Sequence, residues 1–481
     1  MRVLHCNPAS EEYQIWLPYT WGRFREFCDH RSGYDLSSIE WLDPIYLGWY
    51  DVARLIGDTD FANVDVLLLS FYVWNEERQW EIAKIAREQN PNILILGGGP
   101  QSQYKPHQNT KSYEVCDYVT PWEGEELLAE ILHRRLAGQS IADLDELDLL
   151  VDPRNPVDKV VPKRLKLMDA KSPFILYKDD FIRFANHILT ITNALCTMWE
   201  TNRGCPYKCS FCMINIINRT NSAPHIASAD SNVFRWWEPE FIIQEFDKIA
   251  AMGVKNVKIA DELFVLNPRH FSKVCELLIE RDYGFNIWAY SRIDTCRPKY
   301  LETLKKAGVN WLGLGIENPN QTLRQEIHKD SFQEVKIGDI TNNIREAGIN
   351  VAANYIFGLP MDTEESMQET LDFSLENMSE MVNFYCAMAY PGSPLHLTAK
   401  ENNWSLPTTY SGYSQHSYDI LNLPNDNLTS DKILAFRDKA WMKYHTNPAY
   451  LNLLESKFGP PARKNVEDTA KIKLKRKLLG D

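Results

Sequence analysis

Hydrophobic positions in the first 140 residues gather into short apolar runs separated by stretches of helical spacing. Val64–Ser70 (VDVLLLS) and Asn92–Leu96 (NILIL) have the composition of strands covered on both faces. Met1–Cys6 and Val115–Val119 read as two further strands, and Leu47–Ile56, Glu76–Gln89 and Glu123–Arg135 as helices. This alternation predicts a parallel, doubly wound sheet over residues 1–140. From about residue 137 to 183 the pattern breaks. Leu-Asp alternation gives way to Pro153, Pro156 and Pro162 with Lys and Arg between them, and the stretch 141–190 reads as a surface linker.

A second βα rhythm follows. Strands are predicted at Met198–Asn202, Asn256–Ala260, Asn286–Ser291, Trp311–Ile316, Asn350–Phe357 and Asn383–Ala389. Helices fall between them, near Pro268–Arg281, Lys299–Lys306, Phe332–Ala347 and Glu364–Asn377. Pro239 opens another at a first-turn position, where its missing N–H costs nothing, and Phe241, Ile242, Phe246 and Ile249 continue it at helical spacing. Gly308 and Gly348 sit where helices must stop. The fold class expected is α/β: the doubly wound sheet, then a partial (β/α)6 barrel over 191–400, then a helical extension over 401–481. Active sites on such barrels lie at the C-terminal ends of the strands. In the extension Asp431–Tyr444 places Ile433, Phe436, Ala440 and Tyr444 on one side of a helix. The basic tail, with Lys471, Lys473, Lys475, Arg476 and Lys477, reads as a solvated amphipathic end. Trp236, Trp237, Trp288 and Trp311 read as core.

Composition narrows the partners. The chain of 481 residues is 44% hydrophobic and 24% charged, which is globular composition. Lys and Arg number 52 against 65 Asp and Glu, so the net charge is 52 − 65 = −13. That balance disfavours nucleic acid and anionic membrane as partners. No run approaches the roughly 18 apolar residues that span a bilayer. MRVLHCNPAS lacks a signal-peptide core, so a cytoplasmic protein is expected. Ten cysteines in such a chain would stay reduced. Seven are scattered, at 6, 28, 116, 196, 275, 296 and 386, and three cluster at Cys205, Cys209 and Cys212.

The cluster reads Glu200-Thr-Asn-Arg-Gly-Cys205-Pro-Tyr-Lys-Cys209-Ser-Phe-Cys212, a C-x3-C-x2-C spacing directly after a predicted strand. Three thiolates so close can converge on one iron–sulfur cluster. A [4Fe–4S] cluster has four irons, and three ligands leave one iron open for a group that is not protein. Zinc is the alternative, and it needs a fourth ligand, for which Cys196 is within range in the sequence.

ETNRGCPYKCSFC resembles the cluster loop of the radical S-adenosylmethionine (radical SAM) superfamily, which would make Phe211, just before the third cysteine, a SAM contact. The resemblance runs over much of Met198–Pro394. KIADELFVLN is similar to the strand-2 segment of that superfamily, which would make Asp261 and Glu262 contacts of the SAM amine. WAYSRID resembles the strand that brings polar groups to SAM, with Arg292 the candidate, and WLGLGIEN the later glycine-rich strand ending in Glu317. NYIFGLPMDTEES and AYPGSPLH resemble the closing strands. The resemblance implies that SAM chelates the open iron, and that an electron from the reduced cluster cleaves it to methionine and a 5′-deoxyadenosyl radical. The bland readings are a helix cap for Asp261, mutual pairing of Arg292 with Asp294, and a loop acid for Glu317.

Ahead of that barrel, PIYLGWYDVARLI, the GGGP loop and PWEGEELL resemble the cobalamin-binding domain of the B12-binding radical SAM subgroup. Ser70 ends one buried strand, and Gly97, Gly98 and Gly99 end the next, where a missing side chain admits a bulky ligand. Many cobalamin proteins carry a D-x-H-x-x-G loop. Here the nearest string, Asp29-His30-Arg31-Ser32-Gly33, has another spacing, so no histidine from it is expected on cobalt. The reading is an enzyme using a [4Fe–4S] cluster, SAM and cobalamin, with methylation of an unactivated carbon as its reaction. A cobalamin-associated cyclisation or oxidation without methyl transfer, or a non-catalytic electron-transfer protein, are the alternatives. Its partners would be a small-molecule or peptide substrate and an external electron donor of flavodoxin or ferredoxin type.

Overall fold

The computed structural model describes residues 1–6, 19–30, 32–45, 57, 59–99, 114–120, 123–146, 196–214, 234–329 and 336–481. The predicted helix Leu47–Ile56 and the linker beyond Glu146 lie outside the described residues.

The first sheet has five parallel strands in the order β2-β1-β3-β4-β5. They are β1 (Arg2–Cys6), β2 (Glu40–Trp41), β3 (Val66–Ser70), β4 (Leu94–Gly98) and β5 (Tyr118–Val119). Successive side chains alternate between two covered faces. Leu4, Cys6, Leu67, Leu69 and Ile95 pack with Ile82, Ala83 and Ala86 of helix Glu76–Gln89. Val3, Val66, Leu68, Leu94 and Leu96 share a core with Trp21 and Phe27 of helix Tyr19–His30 and Leu128 and Leu132 of helix Glu125–Leu136. The strand order reverses between β1 and β3, so the crevice for a ligand lies at their C-terminal ends. Helix Tyr19–His30 escaped the sequence reading because its inward face carries Arg23 and Glu26 beside Trp21 and Phe27, which blurs the apolar periodicity.

The second sheet has six parallel strands laid side by side in chain order. They are β6 (Cys196–Trp199), β9 (Asn256–Ile259), β10 (Asn286–Arg292), β11 (Val309–Glu317), β12 (Asn350–Phe357) and β13 (Met381–Cys386). Among the described residues β6 and β13 do not pair, so the barrel is open, as a partial (β/α)6 barrel requires. The predicted strand Met198–Asn202 starts earlier, at Cys196, and breaks after Trp199. Asn202–Arg203 (β7) instead pairs antiparallel with Arg235–Trp236 (β8).

The C-terminal helices Ser430–His445, Pro448–Phe458 and Pro460–Thr469 form the extension. Phe458 stacks on Trp311 at 5.5 Å, and Trp311 on Trp288 at 5.5 Å. Lys457 pairs with Glu380, just ahead of β13. The extension thus closes the N-terminal end of the barrel and leaves the opposite mouth for chemistry. Trp236, expected in the core, is 41% exposed, because its two-residue strand lies outside both large sheets. Among the described residues no helix is long and apolar enough to cross a membrane.

Candidate functional site

The cysteine loop leaves the C-terminal end of β6 and is fixed at once by Asp261, which follows β9. The Asp261 carboxylate accepts from Thr201 N (2.6 Å), Asn202 N (3.2 Å), Asn202 Nδ2 (2.6 Å) and the Thr201 hydroxyl. Asn202 Nδ2 also donates to Leu263 O at 3.2 Å. Burial pushes the Asp261 carboxyl up to about 8, against the opposing pull of these donors. Both Asp261 oxygens therefore face the loop backbone rather than the barrel mouth. Glu262, the next residue, is exposed and accepts from Gly204 N at 2.9 Å. Gly204 has φ +103, a left-handed conformation that glycine adopts without strain.

Cys205 and Cys209 are buried, and Cys212 is half-buried. Cys205 and Cys212 share an apolar nest with Ile214, Leu263, Leu266 and Tyr207. A turn from Cys212 N to Cys209 O (3.0 Å) sets the second spacing. Two backbone bonds tie Ser210 across the barrel, from its N–H to Ile327 O (3.1 Å) and to its carbonyl from Leu395 N (2.9 Å). Phe211 packs into the cluster that holds Leu323, Ile327, Leu359 and Leu395, so it tethers the underside of the loop. Among the described residues no three His, Cys, Asp or Glu side chains converge on one metal ion. Cys196 sits at the N-terminal end of β6, paired with Asn256, about 10 Å of strand away from the loop. The zinc alternative with Cys196 as fourth ligand is thereby corrected.

Arg292, the last residue of β10, reaches the loop. Its guanidinium lies 3.7 Å from the Tyr207 ring centroid, and its Nη1 lies 3.7 Å from Cys209 Sγ. The same group pairs with Asp294 at 2.9 and 3.2 Å, so its ion pair and its place beside the thiol coexist. At the end of β11, Glu317 holds φ +62, a costly backbone for a residue with a side chain. Its carboxylate pairs with Lys329, and both are buried. A Cβ at Gly315 would come within 2.6 Å of both groups, so any side chain there would displace the pair from its place across the strand. Lys329 had no mark in the sequence, since nothing about QEIHKD separates it from a surface lysine.

A cavity of about 310 Å³ opens at the C-terminal ends of β1, β3 and β4. Ser70, Gly97, Gly98 and Gly99 all line it, as do Arg23, Glu125, Glu200 and Arg203 from the side facing the barrel. On its floor His5 Nε2 and Ser70 Oγ are 3.0 Å apart, and burial pulls the His5 imidazole down to about 4, so it is neutral at physiological pH. Of Asp29–Gly33, none of the described residues lines the cavity. The glycines have a second duty that the sequence reading missed. A Cβ would meet Cys116 Sγ at 2.8 Å from Gly97, Thr120 Oγ1 at 2.8 Å from Gly98, and Phe71 O at 2.6 Å from Gly99, whose φ is +98.

Comparison with known proteins bears on the fold. Residues 199–374 match the family model of the radical SAM superfamily. The chain is 26% identical over 413 residues to the cobalamin-dependent radical SAM methyltransferase TokK of Streptomyces tokunonensis, covering 82% of this chain and 56% of that protein. The chain therefore spans little more than half the length of that relative. It superimposes on OxsB, a cobalamin-dependent S-adenosylmethionine radical enzyme solved with aqua-cobalamin and S-adenosylmethionine, with a TM-score of 0.70. That match covers 98% of this chain and 70% of the other at 16% identity. The radical S-adenosylmethionine methyltransferase TsrM of Kitasatospora setae gives a TM-score of 0.67 at 14% identity, covering 99% of this chain and 96% of that one. Residues 199–374 thus form a radical SAM domain, and over nearly its whole length the chain has the fold of the solved cobalamin-dependent radical SAM enzymes.

Proposed function

We propose that the protein is a cobalamin-dependent radical SAM methyltransferase that acts on an unactivated carbon of a small-molecule or peptide substrate. The observation that carries this is the alignment of two sites. The cavity at the sheet crevice is walled by Glu200 and Arg203, and the thiol loop begins two residues later at Cys205. When bound, a [4Fe–4S] cluster and SAM supply reductive cleavage of a sulfonium bond, and a corrinoid supplies a transferable methyl group. The chain holds and orients them. Cys205, Cys209 and Cys212 offer three thiolates, and Arg292 stabilises negative charge beside Cys209. Glu262 and the Glu317–Lys329 pair supply hydrogen-bonding charge for the amino-acid and ribose parts of SAM, Asp261 positions the loop from beneath, and Phe211 tethers it. Ser70 and the Gly97–Gly99 turn line the corrinoid cavity. A thiol-ligated cluster and ten cysteines with no disulfide among them suit the reducing cytoplasm.

The test is product analysis of the reconstituted protein with SAM and a reductant. S-adenosylhomocysteine together with 5′-deoxyadenosine is the expected result. 5′-Deoxyadenosine alone would assign a radical reaction without methyl transfer, and neither product would leave an electron-transfer role.

A further inference from the structure

We propose that the C-terminal tail is the docking face for an acidic, low-potential electron-carrier protein; the proposal rests on the radical SAM reading above. Residues 470–481 carry Lys471, Lys473, Lys475, Arg476 and Lys477 against the single acid Asp481, in a chain whose net charge is −13. The tail is not the loose solvated end that its composition suggests. Arg476 is fully buried, with Nε donating to Asp438 Oδ2 at 3.2 Å and Nη1 to Ser417 O at 3.1 Å. Lys477 N donates to Tyr418 O at 2.9 Å, and Tyr418 OH to Asp481 O at 3.1 Å. These bonds hold the backbone in place while Lys471, Lys473, Lys475 and Lys477 are exposed. Ile472 is 67% exposed, and Leu474 and Leu479 are exposed beside the lysines. Lys471 and Lys473 make surface pairs with Asp468 and Asp481 at 2.7 and 2.6 Å, which contribute little, and Lys475 and Lys477 have no ion pair among the described residues. An apolar centre ringed by cations of one sign fits a protein partner of opposite charge.

The segment beneath the tail leads to the thiol loop. Ser417, which Arg476 holds, lies two residues from Gln415. Gln415 brackets the backbone of Cys386, accepting from its N–H at 3.0 Å and donating to its carbonyl at 2.9 Å. Tyr390 O accepts from Ser393 N at 2.9 Å, and Leu395, two residues further on, donates its N–H to Ser210 O of the thiol loop at 2.9 Å. The Tyr390 ring stacks on Tyr413 of the same segment at 6.1 Å. A continuous set of contacts thus joins the thiol loop to the tail. The chemistry needs one electron at the cluster for each SAM cleaved: the carrier is oxidised by one electron, and the cluster is reduced from the 2+ to the 1+ state. An RNA or an anionic membrane would also answer to lysines, but neither delivers an electron, and the acidic remainder of the chain repels extended polyanions.

The holoprotein tests this with reduced flavodoxin as the probe and dithionite as the control, following cluster reduction by absorbance and electron paramagnetic resonance. Lys475→Glu/Lys477→Glu should slow reduction by flavodoxin about 10-fold at low salt and flatten its salt dependence. Reduction by dithionite should keep its rate, which also reports an intact cluster. Equal flavodoxin rates in wild type and variant would overturn the proposal. So would binding of RNA or anionic vesicles that the variant loses while flavodoxin reduction is unchanged. A wild-type protein that dithionite cannot reduce would instead remove the radical SAM reading on which the docking face rests.

Discussion

Arg203 and Glu125 meet at 3.1 Å across the boundary between the two sheets. Arg203 ends β7, two residues before the first cluster cysteine, and Glu125 opens the helix that covers the first sheet. The pair is the centre of a part-buried network in which Glu125 and Arg23 are buried. Arg203 also reaches Glu200 at 3.0 Å and Glu123 at 3.6 Å, Arg235 pairs with Glu123, and Arg23 lies 3.6 Å from Glu125. The guanidiniums of Arg23 and Arg203 lie 5.5 and 5.7 Å from the Trp237 ring centroid. The same side chains wall the cavity, so the lead-in to the thiol loop is held by groups that a ligand in the cavity touches.

Glu125→Gln should therefore destabilise the protein by about 3–5 kcal/mol, the cost typical of breaking a buried pair by removing one partner. Burial raises the Glu125 carboxyl, but Arg203 and Arg23 more than offset it and hold it below the usual carboxylate range. Its stabilisation is thus present above pH 4.5 and is lost as pH falls through the depressed value. Urea denaturation at neutral and mildly acid pH measures this. The gap between wild type and variant should narrow toward acid, and a constant gap would mean that the charge on Glu125 contributes nothing.

Asp261 predicts the opposite slope. Its carboxyl is raised from 3.8 to about 8, so between those values the folded protein binds a proton that the unfolded chain has released. Stability should fall as pH rises through that window, by up to about 1.4 kcal/mol per pH unit for one proton. Asp261→Asn removes the slope and still offers an acceptor to Thr201 N. Asp261→Ala leaves buried donors unpaired and should cost about 3 kcal/mol or more and lower iron retention, because the loop entry loses its clamp. Denaturation midpoints from pH 5 to 8, with iron analysis of each variant, check both expectations.

The two sheets were legible because their strands are apolar runs too long to be anything but buried, as in Leu67–Leu69 and Ile93–Leu96. The thiol loop was legible because three cysteines at fixed spacing carry their own chemistry. The clamp on Arg203 was not, since Glu123 and Glu125 lie some eighty positions upstream and local pattern carries no sign of the pairing. Lys329 and His5 were missed for a related reason: each has one informative partner, Glu317 or Ser70, brought close only by the fold. The glycine turn was located by its sequence, but its packing duty depends on Phe71, Cys116 and Thr120, which no run of glycines announces.

Gly99→Ala tests that duty. The new Cβ would lie 2.6 Å from Phe71 O and 2.9 Å from Phe71 N, backbone atoms that cannot rotate away, at φ +98. The strain alone is on the order of 1–3 kcal/mol, and the clash adds to it. The thermal midpoint of the cofactor-free protein should fall measurably. An unchanged midpoint with lost corrinoid binding would assign the glycine to ligand access alone.

Glu317 and Lys329 separate binding from folding. Glu317→Gln removes the charge that faces Lys329 and strands a buried ammonium, so the thermal midpoint should drop. If Glu317 also holds SAM, its dissociation constant should rise about 10- to 100-fold, the equivalent of one charged hydrogen bond of roughly 1.5–3 kcal/mol. Iron and sulfide content should stay intact, because Cys205, Cys209 and Cys212 are untouched. The confounding effect of the stranded lysine is removed by Glu317→Gln/Lys329→Met. Methionine keeps much of the length and adds no charge, so the midpoint should recover. SAM affinity should not recover with it, since the carboxylate is still missing. Affinity that returns together with the midpoint would mean that Glu317 serves the site only by neutralising Lys329, and SAM binding would then be assigned to Glu262 and Arg292.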